Sequence, residues 1–198
     1  MSRSTAALVL AAGRARRFGR QKLLAEIGGV PLVRWAVDHA LQSSVDRVTV
    51  VVGHRADEVE RALEEVPAEI VFNPDHEEGM GASIRRGVEA ADAAAALVLL
   101  GDQPGVGPGL IDRIVGADPE GEATIVAPRY RDGPGNPVLF RASVFPELRS
   151  LEGDRGARSV VDRDPSRVRI VPIDRPRPRD VDTPGDLRKF QGMSRRRR

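Results

Sequence analysis

Five short stretches of almost unbroken apolar residues punctuate the chain, at residues 5–12, 47–52, 68–72, 95–100 and 123–127. Each is bounded by Gly, Pro, Asp or Asn, and a continuous apolar run of this length marks a strand buried on both faces of a parallel sheet. Between them, residues 32–41, 57–63, 82–91 and 109–115 carry apolar side chains at i, i+3 and i+4, the spacing of a helix with one buried face. Such alternation predicts an α/β fold with a doubly wound, mostly parallel sheet.

After Pro128 the pattern loosens. Gly133, Pro134, Gly135 and Pro137 precede a short apolar run at residues 138–140, which predicts a small antiparallel excursion in the C-terminal half. Helices are expected near residues 144–151 and 157–162, then a strand at 168–173. Residues 175–179 alternate Arg and Pro, the pattern of a stiff extended connector. It leads into Asp180-Val181-Asp182-Thr183-Pro184 and a last short helix. No internal repeat is present, and the 198 residues suit a single domain over 1–192.

Composition narrows the function classes. With 40% hydrophobic and 30% charged residues the chain can bury a core. The absence of cysteine removes disulfides, thiolate zinc sites, iron–sulfur clusters and any cysteine nucleophile, and suits a cytoplasmic location. The longest apolar run, residues 93–100, is far below the ~20 residues of a membrane helix. Residues 6–12 follow Arg3 as in a signal peptide, but Arg14, Arg16 and Arg17 are the wrong flank for export. No membrane is expected as a partner.

The net charge of +2 rests on four consecutive arginines at 195–198, without which 27 basic residues face 29 acidic ones. Residues 193–198 read as a disordered Arg-rich tail rather than a nucleic-acid arm. Seven aromatics are scattered along the chain, so no platform for stacking bases is visible. No nucleic acid is expected as a partner.

The first strand runs into Leu10-Ala11-Ala12-Gly13-Arg14-Ala15-Arg16-Arg17-Phe18-Gly19-Arg20-Gln21-Lys22. The loop after the first strand of a doubly wound sheet lies at the carboxyl edge, where ligands bind. Small residues let backbone N–H groups approach an anion there. Five cationic side chains in nine positions point to a polyphosphate. A solvated arginine-rich turn would look similar, but Lys22 is one of only two lysines among 31 cationic residues, and an ammonium is a compact point charge where an Arg fork would not fit. The spacing is neither a P-loop nor a dinucleotide fingerprint.

The strand at 95–100 ends in Gly101-Asp102-Gln103-Pro104. A carboxylate just past a buried strand is placed to hold Mg²⁺ against phosphates, and one or two carboxylates plus substrate oxygens is the usual magnesium arrangement. Asp182 is the expected second ligand, with Asp180 as its competitor. Asn73-Pro74-Asp75-His76-Glu77-Glu78-Gly79-Met80-Gly81-Ala82-Ser83 joins the third strand to a helix. Gly79 and Gly81 permit close backbone approach, and Ser83 either caps the helix or touches a base or ribose. His39, His54 and His76 lack metal-ligand spacing, and no Ser-His-Asp set is recognisable.

Taken together, Leu10-Ala11-Ala12-Gly13 with Arg17-Phe18-Gly19 and Lys22, then Gly101-Asp102-Gln103-Pro104, resemble the nucleotidyltransferases of molybdenum cofactor synthesis. Gly135-Asn136-Pro137-Val138-Leu139-Phe140, Gly153-Asp154-Arg155-Gly156-Ala157-Arg158 and Asp180-Val181-Asp182-Thr183-Pro184 are similar to the later motifs of molybdopterin cytidylyltransferases. The resemblance spans residues 5–190. It implies a Rossmann-like nucleotidyltransferase fold, with a nucleotide-binding half at about 1–104 and an acceptor-binding half at about 105–192. It further implies Mg²⁺, CTP as donor, a molybdopterin-type acceptor and a molybdoenzyme client for the product. Ala12 goes with CTP, since guanylyl members of the family tend to show Gly there. Ala15 and Asn136 depart from the family pattern, which usually has Ser or Gly, and His, at these places.

On that resemblance Lys22, Arg17 and Asp102 are the catalytic set. Leu10, Ala11, Ala12, Gly13, Lys22, Asn73, Gly79, Gly81, Ser83 and Asp102 would bind the nucleotide, and Asp102 and Asp182 the metal. Asn136, Asp154, Arg155 and Arg158 would meet the acceptor. Other readings on the same residues are a nucleotidyltransferase using GTP, a phosphosugar or a phospholactate, and a noncatalytic protein that binds molybdenum cofactor.

Overall fold

The computed structural model describes residues 4–14, 18, 21–118 and 120–195. In chain order β1 (Thr5–Ala11) precedes a small hairpin of β2 (Glu26–Ile27) and β3 (Val30–Pro31), then α1 (Leu32–Leu41), β4 (Arg47–Val52), α2 (Ala56–Arg61) and β5 (Glu69–Phe72). Helix α3 (Met80–Ala90), β6 (Ala95–Leu100) and α4 (Pro108–Val115) complete the first half. The second half holds β7 (Ile125–Tyr130), β8 (Gly133–Pro134), β9 (Val138–Arg141), α5 (Phe145–Arg149), α6 (Arg158–Arg163), β10 (Val168–Ile173) and α7 (Pro184–Arg195).

The main sheet runs β10-β7-β9-β6-β1-β4-β5, with β8 beside β7. Strand β1 pairs in parallel with β4 on one side and β6 on the other, while β9 runs antiparallel to both β6 and β7. The chain therefore moves outward through β4 and β5, returns across β1 to β6, and leaves a crevice at the carboxyl ends of β1 and β6. Ligands bind at such a reversal of strand order in open α/β sheets.

Period-two alternation divides the strand side chains between two cores. Ala7, Val9, Val50 and Leu97 face Val33 and Val37 of α1 and Ile111 and Ile114 of α4. Ala6, Leu8, Ala96 and Phe140 face Ile84 and Val88 of α3, Leu148 of α5 and Val160 of α6. Both faces are covered, which is why the central strands read as continuous apolar runs. A third cluster joins Phe18, Ala25, Ile27 and Leu32 to Val181 and Leu187, so α7 closes over the segment that follows the first strand. Among the described residues no helix is long and apolar enough to cross a membrane.

Strands β4, β6 and β10 and helix α1 have the bounds expected from the apolar pattern, whereas β7 begins later and runs beyond Pro128 to Tyr130. Pro128 lies between the residues of β7 paired with β9 and those paired with β8. Its missing N–H therefore costs no antiparallel ladder bond, and the strand continues where a proline was expected to end it. The excursion is antiparallel as expected, through β8 and β9. At the other end, α7 carries helix through residues 193–195, which were expected as disordered tail, because the backbone continues its helical hydrogen bonding; residues 196–198 lie outside the described residues.

Candidate active site

Strand β1 ends at Ala11 and β6 at Leu100, and the loops beyond them bring Lys22 and Asp102 together. Lys22 opens a single 3-10 turn, Lys22–Leu24, whose Leu23 is buried in the core. Its ammonium donates to Asp102 Oδ2 at 2.6 Å and to Asp182 Oδ1 at 2.9 Å. The Lys22 and Asp102 side chains are each 17% exposed and that of Asp182 46%. Burial works against the Lys22 charge, but attraction and hydrogen bonding from Asp102 and Asp182 outweigh it, so its pKa stands above the ordinary lysine value.

The segment carrying Asp182 is fixed by a backbone bond from Val181 N–H to the Asp102 carbonyl, 3.0 Å, and by burial of Val181. Asp180 takes another course. Its part-buried carboxylate accepts from Gln103 Nε2 at 2.6 Å. Loss of solvent raises its pKa, the Gln103 hydrogen bond opposes the rise, and the charges of Asp102 and Asp182 add to it. Of the two competitors, Asp182 is therefore the one that meets Asp102 at a shared cation.

A cavity of about 630 Å³ opens on one side of this cluster. Leu10, Ala12, Gly13 and Lys22 form one wall, and Gly79, Met80 and Ser83 another. Arg14 reaches across the opening to pair with Glu77. His76, which also lines the cavity, packs over Gly53, where a Cβ would lie 2.5 Å from its ring. Helix α3 begins here, and the positive end of its dipole favours an anion.

Several expected nucleotide residues serve this cavity from behind. Asn73 is 1% exposed; it donates to Ser83 Oγ at 3.1 Å, while its own Oδ1 accepts from Asp75 N–H. It does not line the cavity, and Ser83, inside α3, is not a helix cap. Ala11 is buried in the core. Gly79 and Gly81 do meet a close backbone, but it is protein: Gly81 N–H donates to the Gly153 carbonyl at 3.0 Å. A Cβ at Gly79, whose φ is 114°, would lie 2.5 Å from the Gly153 carbonyl carbon.

That contact carries Asp154 into the first cavity instead of the acceptor side. The two sequence halves therefore do not form separate sites, since Gly153, Asp154 and Asp182 line the cavity begun by the first half. A second cavity of about 570 Å³ shares Leu100 and Asp182 with the first. Asn136 lines it, as do Asp132, Arg177, Arg179 and Asp180. Asn136 is linked to Pro137 by a cis peptide and accepts at its carbonyl a hydrogen bond from Tyr130 Oη. Burial pushes the Tyr130 phenol up to about 12, so it is a donor at neutral pH.

Arg155 and Arg158, expected on the acceptor, line neither cavity, and Arg158 pairs with Asp162 one helical turn away. Arg177 and Arg179, which the sequence pattern marked only as connector, line the second cavity. The signal available was their position immediately before Asp182. An extended segment leading into a site residue must border the site. Arg17 lies outside the described residues.

The donor set fits a hard divalent cation. Two carboxylates converge within 3 Å of the Lys22 ammonium, and Asp102 Oδ1 is buried without a hydrogen-bond partner among the described residues. Among those residues no cluster of three or more His, Cys, Asp or Glu forms a ready-made cage. A magnesium ion held here would complete its shell with substrate oxygens and water. The arrangement as a whole is one charge cluster lining the first cavity, with Asp182 shared by the second, which suits transfer of a group between two bound molecules.

The chain is similar to known proteins in both sequence and fold. Residues 7–168 match the model of the MobA-like NTP transferase domain. The purine catabolism protein PucB of Bacillus subtilis is 30% identical, covering 77% of this chain and 78% of PucB. A probable molybdenum cofactor guanylyltransferase of Pyrococcus horikoshii is also 30% identical, covering 75% of this chain and 73% of the relative. Among solved structures, Rv0371c of Mycobacterium tuberculosis superposes with a TM-score of 0.88 at 33% identity, covering 97% of this chain and 100% of that one, and it has also been solved in complex with manganese.

Proposed function

This chain belongs to the MobA-like NTP transferase family and is a nucleotidyltransferase; we propose that it transfers CMP from CTP to the terminal phosphate of a molybdopterin, releasing pyrophosphate, for delivery to a molybdoenzyme client. The observation that carries this reading is the meeting of Lys22 and Asp102 in the first cavity with Asp182, which lines both. The first cavity takes the nucleotide and the second the acceptor.

A phosphate monoester has a second pKa of about 6, so at neutral pH the nucleophile is already ionised and no general base is required. The absence of a recognisable catalytic histidine fits that chemistry. The barrier is electrostatic, because one anion must approach another and displace a third. In this reading Gly13 and its neighbours hold the β- and γ-phosphates, and Lys22 and Arg17 neutralise their charge. Asp102 and Asp182 would hold Mg²⁺, which when bound draws charge from the α-phosphate and the departing pyrophosphate. Ser83, placed by Asn73, and Asp154 face the nucleoside. Asn136 faces the acceptor. Ala12, at the wall of the first cavity, supports cytidine.

The test is pyrophosphate release with Mg²⁺ and CTP, GTP or ATP in turn, with and without molybdenum-loaded molybdopterin, on the wild type and Asp102→Asn. Release with CTP that requires the pterin and is lost in the variant is the expected result. A preference for GTP would overturn the inference from Ala12 alone, in line with the name of the Pyrococcus relative. Release only with a different phosphorylated acceptor would replace molybdopterin. Pterin binding with no release from any triphosphate would replace the enzyme by a cofactor-binding accessory protein.

A further inference from the structure

We infer that Arg179 is the residue that grips the acceptor's phosphate in the second cavity, held in place by a proline-locked strap that spans residues 174–182. The inference rests on the two-substrate reading above and names the anion contact which that reading leaves open.

Three of the bonds that tie the strap down come from backbone N–H groups. Arg131 N–H donates to the Arg175 carbonyl at 3.2 Å, Arg177 N–H to Asp132 Oδ1 at 2.8 Å, and Val181 N–H to the Asp102 carbonyl at 3.0 Å. Between the ties, Pro176 and Pro178 fix their own φ and keep Arg175 and Arg177 extended. Pro178 lies over Gly105, where a Cβ would stand 3.4 Å from the proline ring. The segment is thereby pre-shaped, and little conformational freedom remains to be lost when a ligand arrives.

The charges lining the second cavity are all committed except one. Arg177 Nε lies 3.5 Å from Asp132 Oδ2, Asp180 accepts from Gln103, and Asp182 accepts from Lys22. Arg179 lines the same cavity and has no hydrogen-bond or ion-pair partner among the described residues. An anionic acceptor entering here meets Asp132, Asp180 and Asp182, and without a free cation it would be repelled. A guanidinium matches two phosphate oxygens at once, which fixes orientation as well as charge. Three residues from Asp182, Arg179 can hold one part of the phosphate while a remaining oxygen faces the α-phosphorus. That oxygen forms the new P–O bond as the bond from the α-phosphorus to the bridging oxygen breaks; the electron pair leaves with pyrophosphate, and no proton is transferred.

Phenyl phosphate serves as a neutral-bodied stand-in for the acceptor, with inorganic phosphate as the second arm. Each is titrated calorimetrically into the full chain preloaded with Mg²⁺ and the non-cleavable α,β-methylene analogue of CTP, which keeps the first cavity filled. The expected result is saturable binding of phenyl phosphate, tighter than inorganic phosphate. It should weaken about 10- to 100-fold in Arg179→Ala, with partial recovery in Arg179→Lys, which restores charge without the fork. Affinity for the CTP analogue should stay within about twofold in both variants, showing that they fold. Wild-type affinity for phenyl phosphate in Arg179→Ala would overturn the assignment, as would no saturable binding to the wild type below about 10 mM. Equal binding of the two anions would overturn an organic acceptor at this position. Failure of wild-type turnover with CTP and molybdopterin would sink the named reaction only, because the titration still decides Arg179.

Discussion

The Lys22 ammonium and the Asp102 carboxylate lie 2.6 Å apart although 80 residues separate them in the chain. Each is largely withdrawn from solvent, so their attraction is weakly screened. The pair holds a cation in place at the carboxyl edge of the sheet; in the proposed reaction, charge placed there in advance would lower a barrier made of phosphate repulsion.

Lys22→Ala should reduce the rate of pyrophosphate release by about 10²–10³, the usual loss for one contact to developing charge. Steady-state turnover with saturating Mg²⁺ measures it. Near-normal turnover would take Lys22 out of the catalytic set.

The three aspartates should separate in a magnesium titration of nucleotide binding. Asp102→Asn is expected to raise the Mg²⁺ requirement most, because its buried Oδ1 has no other partner among the described residues. Asp182→Asn should follow with a smaller effect, being more exposed. Asp180→Asn should leave the requirement unchanged, since that carboxylate is bound to Gln103. A larger effect at Asp180 than at Asp182 would reverse the assignment.

Gly79→Ala should destabilise the protein by about 1–3 kcal/mol, the cost of a side chain in a backbone region closed to it. The added methyl must also push Gly153 away. Thermal unfolding reports the first effect, and nucleotide affinity the second, because Asp154 moves with Gly153. An unchanged melting temperature would remove the tight packing between these two segments.

Glu147 supplies an acid-sensitive link outside the site. It accepts from Arg167, part-buried, and from Arg163 at 3.1 Å. The Arg167 hydrogen bond, against some loss of solvent, holds its pKa below the ordinary glutamate value, with Arg163 assisting. The native state thus binds its proton less readily than the unfolded chain. The stabilisation is complete above the unfolded pKa and disappears as pH falls through the lowered native value. Glu147→Gln should cost about 1 kcal/mol at neutral pH, the upper end for partly exposed pairs, and should flatten the acid limb of the stability curve. Parallel acid limbs in the two proteins would contradict this.

How much could be read in advance depended on what each segment packs against. Strands β4 and β6 are buried on both faces, so their residue types alone declare them. Lys22 stood out as a lysine in an arginine-rich chain, and Asp102 as a carboxylate past a buried strand. Asp154 was expected on the acceptor, and its place at the first cavity was not legible because it depends on Gly153 meeting Gly79, 74 positions earlier in the chain, which no local pattern encodes. Arg155 and Arg158 line neither cavity; Arg158 opens α6, and one face of a short helix is indistinguishable from another in sequence. Arg177 and Arg179 looked like spacer because prolines around them signal stiffness, and stiffness says nothing of where a segment lies.

The packing of Val181 and Leu187 against Phe18, Ala25, Ile27 and Leu32 has a temporal side. The ribosome makes the loop after β1 well before its clasp. The nascent chain can build most of the sheet, but the Lys22 ammonium lacks one of its two carboxylates until residue 182 has emerged. The segment after β1 stays without its cover until residue 187 has followed. Assembly of the charged centre thus waits for the segment that carries Asp182, and polypeptides cut short before α7 would carry a loop after β1 that cannot yet be closed.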